Sequence, residues 1–289
     1  MPELDRSIQR LLRMLSVGQG AGAGDVASRR DGLETLARMA GGSGFAVDKV
    51  SDGRLGGCAI RTYTSAKADG VMLYLHGGGW VAGSLDTHDG VCRRLAHASR
   101  RRVVALDYRR APEHPFPAAL DDAWSALQNL SDSGPIAVAG DSAGGAITAA
   151  LCLRARDRGG PVIDRLLLIC PILDLAGETE SRKTFATGYF IERIAFDADV
   201  AAYCPDPAPR FGAEVSPLRA TSLAGLPPVD IHTAEFDPFR DEGEAFARRI
   251  ENDGGTVRLT RHAGMIHYFY ALPDLVPYAN EALAGMSCT

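Results

Sequence analysis

Short apolar runs punctuate this chain at residues 71–75, 103–106, 136–139, 166–169, 229–233 and 257–260. Each is followed by a stretch with helical periodicity. Continuous Val/Ile/Leu runs, in place of an apolar–polar alternation, mark strands buried on both faces. Parallel neighbours need a crossover, usually a helix, so strand and helix taking turns predicts an α/β fold with a mostly parallel, twisted sheet flanked by helices. "FAVDKV" (45–50) and "CAIRTYT" (58–64) read as a hairpin that opens the sheet. At 289 residues such a sheet is expected to form one domain spanning 1–289.

Two segments break the rhythm. Residues 1–42 carry Leu4, Ile8, Leu11, Leu12 and Leu15, then Leu33, Leu36 and Met39, at helical spacing. Between them, "GQGAGAG" (18–24) resembles the start of a dinucleotide fingerprint, but a helix precedes it where a strand is required, so a linker is expected. Residues 177–212 hold helical patches ("RKTFATGYFIERIAF", "DADVAAYC") and then "PDPAPRFG". Both segments are read as a small helical cap over the sheet.

Bulk properties remove several function classes. The formal net charge is −5, which argues against nucleic acid and anionic membrane as partners. No apolar run approaches the roughly 20 residues needed to cross a bilayer, and the charged, amphipathic N-terminus is unlike a signal peptide. Cys58, Cys92, Cys152, Cys170, Cys204 and Cys288 are scattered without a CxxC pair, as expected of reduced thiols in the cytoplasm.

Chemistry concentrates in a few places. "IAVAGDSAGGAITAALCLRA" (136–155) is a strand, a tight turn and a helix, and its turn fits G-x-S-x-G. A sharp strand-to-helix corner projects the serine Oγ of Ser142 above the sheet, and small flanking residues let the backbones nearly touch. The competing role for Ser142 is a helix N-cap. A serine nucleophile needs a base and an orienting carboxylate. "VDIHTAEFDPFRDEG" offers Asp237, with Glu235, Asp241 and Glu242 as rivals; "VRLTRHAGMIHYFY" offers His267, placed on a glycine-hinged loop, with His262 as rival. Glycines at 77–79 between His76 and Trp80 weaken a strand. Bare amides at Gly78 and Gly79, with that of Ala143, would stabilise an oxyanion during acyl transfer. A phosphate cradle is the other use of such a loop, but GxxxxGK[ST] is missing. His76 is expected to brace the loop. Asp141, Tyr189 and Tyr268 are expected at the substrate pocket, and Trp80 is expected to line that pocket or to pack beneath it.

"HGGGW" (76–80), "DYRRAPEHPFPAALDDA" (107–123), "GDSAGG" (140–145), "DPFRDEG" (237–243) and "GMIHYF" (264–269) occur in one order. In these blocks the chain, from about residue 45 to its end, resembles the hormone-sensitive-lipase-like carboxylesterases of the α/β-hydrolase fold. The resemblance implies a Ser142–Asp237–His267 triad, oxyanion donors at Gly78, Gly79 and Ala143, a helical cap, hydrolysis of short- to medium-chain acyl esters and no cofactor. It also implies possible homodimers through the edge of the last strand. One departure stands out: the family usually has glycine after the catalytic histidine, and here Tyr268 follows it. The "DYRRAPEHPFP" block is expected to be structural, with Arg109 paired to Glu113. "THD" at 87–89 reads as a capped first helical turn, and without HExxH or close Cys/His spacing no metal is expected. An amidase using the same triad, and a non-catalytic ligand receptor, are the alternative readings.

Overall fold

The computed structural model describes residues 3–16, 24–66 and 68–286. In chain order these form α1 (Arg6–Ser16), α2 (Val26–Ala40), β1 (Lys49–Leu55), β2 (Cys58–Thr64), β3 (Val71–Leu75), α3 (Asp89–Ser99), β4 (Arg102–Asp107), α4 (Ala118–Asn129), β5 (Ile136–Asp141), α5 (Ser142–Arg158), β6 (Arg165–Ile169), α6 (Glu180–Thr184), α7 (Arg193–Tyr203), β7 (Val229–Phe236), α8 (Arg240–Asn252), β8 (Val257–Ile266) and α9 (Tyr278–Gly285). Most of the expected 18–24 linker lies outside the described residues. Among the described residues, no helix is long and apolar enough to cross a membrane.

The strands make one eight-stranded sheet in the order β1-β2-β4-β3-β5-β6-β7-β8. β1 and β2 pair antiparallel with their neighbours, whereas β4, β3, β5, β6, β7 and β8 run parallel. Side chains alternate across the sheet with the period of two that a strand imposes. Val71, Leu73 and Leu75 enter the core shared with α4, α5 and α8, while Met72 and Tyr74 enter the core beneath α3 and α9. All residues of β3 are buried, which is why this strand reads as a continuous apolar run.

Two boundaries differ from the sequence reading. β1 starts at Lys49, not in the apolar "FAV", because the antiparallel edge ladder pairs residues 49–55 with 58–64 and leaves that strand largely exposed. β8 runs on through "AGMI" to Ile266, past a register shift between Ala234 and Phe236 of β7, so that stretch is strand and not loop. "RKTFATGYFIERIAF" is likewise two helices separated by a turn, not one patch.

Because these strands are parallel, their carboxyl ends share one rim, where ligands bind in open α/β sheets. β3 leads there into His76–Gly79, β5 directly into α5 at Ser142, β7 into Asp237 and β8 into His267. The β5–α5 corner is closed by backbone contact. A Cβ on Gly144 would run into the carbonyl oxygens of Leu75 and His76. Gly144→Ala should therefore destabilise by at least about 1–3 kcal/mol, although glycine-to-alanine changes within helices ordinarily stabilise. Gly32→Ala in α2, where a Cβ would meet nothing within 4 Å, should gain about 0.5–1 kcal/mol. Urea unfolding of both variants checks the opposite signs.

Candidate active site

Ser142, Asp237 and His267 meet at the rim. His267 Nε2 lies 2.9 Å from Ser142 Oγ, and its Nδ1 lies 2.8 Å from Asp237 Oδ2. With a carboxylate at Nδ1, that nitrogen carries the proton, so Nε2 accepts from the serine hydroxyl. The second carboxylate oxygen of Asp237 accepts the Phe239 amide at 2.8 Å, which fixes its rotation. All three side chains are buried. Ser142 has φ 52°, in the left-handed region that costs a non-glycine residue about 1–2 kcal/mol; the corner holds it there.

The rival residues are occupied elsewhere. Glu235 accepts from the Gly264 amide at 2.8 Å, and Asp241 accepts from the Ser181 amide at 2.8 Å. Glu242 is fully buried, accepts from the Leu173 and Asp174 amides and pairs with Arg182; burial pushes its pKa up to about 7 against the pull of Arg182. His262 sits within β8, bonded to His232 and to the Tyr278 hydroxyl at 3.0 Å each.

Gly78 and Gly79, at φ 122° and 62°, adopt backbone conformations open to glycine. Among the described residues neither amide donates a hydrogen bond, and buried or half-buried amides without partners are rare in proteins. Ala143, in the first turn of α5, adds another such N–H beside Ser142.

Ser142 and His267 open onto a cleft of about 880 Å³, within the size range of small-molecule sites. Leu15, Leu33 and Leu36 of the first two helices form one wall, and Phe190, Ile191 and Phe196 another. Arg29 and Asp199 also line it and form an ion pair across it. Burial pushes the Asp199 carboxyl up to about 6 despite that arginine.

A family model for the α/β-hydrolase fold matches residues 72–271. The chain belongs to this family. The hydrolase is 39% identical over 257 residues to esterase LipI of Mycobacterium tuberculosis, covering 82% of this chain and 78% of that one. It is 41% identical over 233 residues to carboxylesterase NlhH of the same organism, covering 73% and 70%. Among solved structures, ester-hydrolase EH1AB1 from the metagenome of Lake Arreo superimposes with TM-score 0.91 at 34% identity, covering 98% of this chain and 97% of that one. A thermostable esterase from Pseudomonas putida ECU1011 does so with TM-score 0.90 at 33% identity, covering 99% and 96%.

Trp80 takes the second of its two expected places in the hydrolase, buried beneath the cleft and stacked on Tyr203 with ring centroids 4.6 Å apart. Two other expected pocket residues sit elsewhere. Tyr189 packs between Phe185 and Phe236. Tyr268 alone of the four lines the cleft. Arg109 pairs with Asp122 at 2.7 Å, not with Glu113, which binds Arg30 of α2 at 2.7 Å. The physical reason is reach across the fold: the acceptor Asp122 on α4 and the donor Arg30 on α2 belong to elements whose proximity to this loop is tertiary. Cys170, Asp237 and His267 place potential metal-ligand atoms within 4.8 Å of one another. Two of those atoms already bond each other, and burial, then Asp237, raises the Cys170 thiol well above its ordinary pKa, so the sulfur keeps its proton.

Asp141 is the largest correction. It is fully buried and serves the loop, not the substrate. Its Oδ1 accepts from the Tyr74 hydroxyl at 2.6 Å and the Gly77 amide at 2.9 Å; its Oδ2 accepts from the Tyr270 hydroxyl at 2.8 Å and faces His88 Nε2 at 3.2 Å. His88, expected as part of a helix cap, makes no side-chain cap bond and instead turns inward to this carboxylate. Nothing local in "THD" signals that role. His76 stacks on Tyr108 at 4.3 Å, and burial, then His88, pushes its pKa down to about 3, so it stays neutral. Burial opposes ionisation of Asp141, yet His88 and the two phenols win and hold its pKa at about 2, below the ordinary 3.8.

A depressed carboxylate pKa contributes stability above the unfolded value and loses it as pH falls through the folded one. The Asp141 contribution, about 2 kcal/mol at one pKa unit per 1.36 kcal/mol, should thus disappear between about pH 4 and pH 2. Asp141→Asn should be destabilised at pH 7 and converge on wild type across that window. Urea midpoints measured at pH 7, 4 and 2.5 test this, and a constant gap would refute it.

Proposed function

We propose that this hydrolase is a serine carboxylesterase acting on short- to medium-chain acyl esters through Ser142, His267 and Asp237. The observation that carries the reading is the unbroken hydrogen-bond chain from Asp237 through His267 to Ser142 Oγ, beside unbonded amides at Gly78 and Gly79. In this reading His267 Nε2 takes the hydroxyl proton as Ser142 Oγ attacks the ester carbonyl carbon. The carbonyl oxygen becomes an oxyanion held by the amides of Gly78, Gly79 and Ala143, each worth about 3–4 kcal/mol in such sites. Collapse of the tetrahedral intermediate breaks the ester C–O bond, and His267 passes its proton to the departing alcohol. Water, deprotonated by the same imidazole, then releases the acid and regenerates the serine. Asp237 keeps the proton on Nδ1 and stabilises the imidazolium.

The relatives' names support ester over amide as the substrate, and the mainly apolar walls suit an acyl chain. In the same reading the chain is a single catalytic unit, with the helices of residues 1–42 and 177–212 as its cap. A second copy would pair along β8 at residues 257–261, since the Gly264 carbonyl already accepts from the Asp5 amide. The five described cysteines are free thiols, which suits a reducing compartment such as the cytoplasm.

Ser142→Ala should reduce kcat on p-nitrophenyl butyrate by about 10⁴–10⁶-fold without lowering Tm, and near-wild-type turnover would sink the proposal. Asp237→Asn should lose on the order of 10⁴-fold in kcat, since an amide offers its NH₂ or its oxygen with no charge to fix the tautomer. On matched ester and amide substrates the ester should be hydrolysed with the higher kcat/KM.

A further inference from the structure

Arg29 of α2 and Asp199 of α7 form an ion pair across the cleft that holds Ser142 and His267. Withdrawing two charges from water is costly, and apolar residues often serve a helix contact as well. The pair is also poorly screened: its side chains are 20% and 10% exposed, between walls formed by Leu33, Leu36, Ile191 and Phe196. Charges held away from solvent act over longer distances than surface charges do.

What lies within that distance is the glycine loop. The Asp199 carboxylate, Oδ2 foremost, fills the space that a Cβ on Gly79 would need. It therefore rests on the backbone of a residue whose amide donates no hydrogen bond among the described residues. The esterase reading makes that amide an oxyanion donor. Arg29 holds the other oxygen, Oδ1, from α2. The remaining charged groups nearby are bound elsewhere. On α2, Arg30 pairs with Glu113 and Glu34 accepts from the Ser84 hydroxyl; at α7, Arg193 pairs with Asp197 and Glu192 accepts the Gly188 amide. His267 is taken up by Asp237 and Ser142. Among the described residues Arg29 is thus the counter-charge of Asp199.

An ionised carboxylate on the glycine loop opposes the negative charge that must build up on a substrate carbonyl; a neutral ion pair does so far less. We propose that Arg29 is a positioning residue for ester hydrolysis: by pinning Asp199 and cancelling its charge beside Gly79, it lets the oxyanion form. This rests on the esterase reading above. Its signature is a pH dependence. Burial has raised the Asp199 carboxyl to about 6 with the arginine in place, and losing that positive neighbour raises it further. Without the charge of Arg29, Asp199 is neutral at low pH and becomes an uncompensated anion as pH rises through the new pKa. Turnover then falls on the alkaline side.

The test follows kcat for p-nitrophenyl butyrate from about pH 6 to about pH 9 in wild type and variants, with spontaneous hydrolysis subtracted. Arg29→Gln keeps a donor for Asp199 without charge, Arg29→Lys keeps the charge, and Arg29→Gln/Asp199→Asn removes both charges. Relative to wild type, Arg29→Gln should lose a further factor of about ten to a hundred between the acid and alkaline ends, as expected of unit charges several ångströms apart. Arg29→Lys and the double variant should lack this alkaline fall. A uniform loss at every pH, no loss, or an alkaline fall that persists in the double variant marks a structural brace and overturns the proposal. Asp199→Asn alone leaves the arginine uncompensated and should raise kcat a few-fold. A decrease there overturns the proposal even where Arg29→Gln does not fold. Hydrolysis surviving in Ser142→Ala would overturn the esterase reading itself, a result distinct from flat profiles with Ser142→Ala inactive.

Discussion

The first turn of α5 lies with Gly144 against the carbonyls of Leu75 and His76, closer than any side chain permits. This approach sets the distance between the end of β5, which presents Ser142, and the end of β3, which presents Gly78 and Gly79. The proposed acyl transfer requires the hydroxyl and the glycine amides to be held within about 0.5 Å of the productive geometry. Backbone packed on backbone supplies that tolerance better than side chains with rotamer freedom. The left-handed φ of Ser142 follows from the same contact, since the chain must turn from strand to helix with no intervening loop.

A second clamp is electrostatic. Asp141 immediately precedes Ser142 and binds the Gly77 amide at 2.9 Å, so one carboxylate ties the two loops that the Gly144 contact brings together. Removing a charge from water is costly unless hydrogen bonds replace the lost hydration. Here Tyr74, Tyr270, Gly77 and His88 do so from β3, the segment after β8, the glycine loop and the entry to α3. A pKa held below normal despite complete burial records that the replacement is sufficient. The steric contact (Gly144 on Leu75 and His76) and the polar one (Asp141 to Gly77) join the same two segments, so neither segment can move without disturbing both.

Much of this was legible in the sequence, and the reasons are local. The runs at residues 71–75, 136–139 and 166–169 are buried on both faces, so their composition alone marks them as strands. Ser142, Asp237 and His267 each follow a parallel strand, and chain order alone places them on one rim. What was hidden is tertiary. The partner of Arg109 is Asp122 on α4, and that of Glu113 is Arg30 on α2, separations that no spacing rule reaches. Asp141 resembles a pocket residue in its motif, yet its side chain points beneath the rim. β1 misled because apolar residues ahead of it lie outside the ladder, while the strand itself is an exposed edge.

The helices that cover the cleft are not attached equally. α2 grips the loop carrying the glycines: Arg30 donates to the Val81 carbonyl at 2.7 Å and the Ala111 carbonyl at 3.1 Å, and makes a two-pronged pair with Glu113. Glu34 adds a bond to Ser84. On the opposite wall, α7 meets α2 through Arg29 and Asp199, and a Cβ on Gly79 would strike that same aspartate. Bidentate arginine contacts to carbonyls and carboxylate resist displacement, whereas the lone pair to α7 spans the cleft itself. The α2 wall is thus continuous with the glycine loop. On the α7 side, Gly188 and Phe190, both at positive φ, form the turn that leads into the helix.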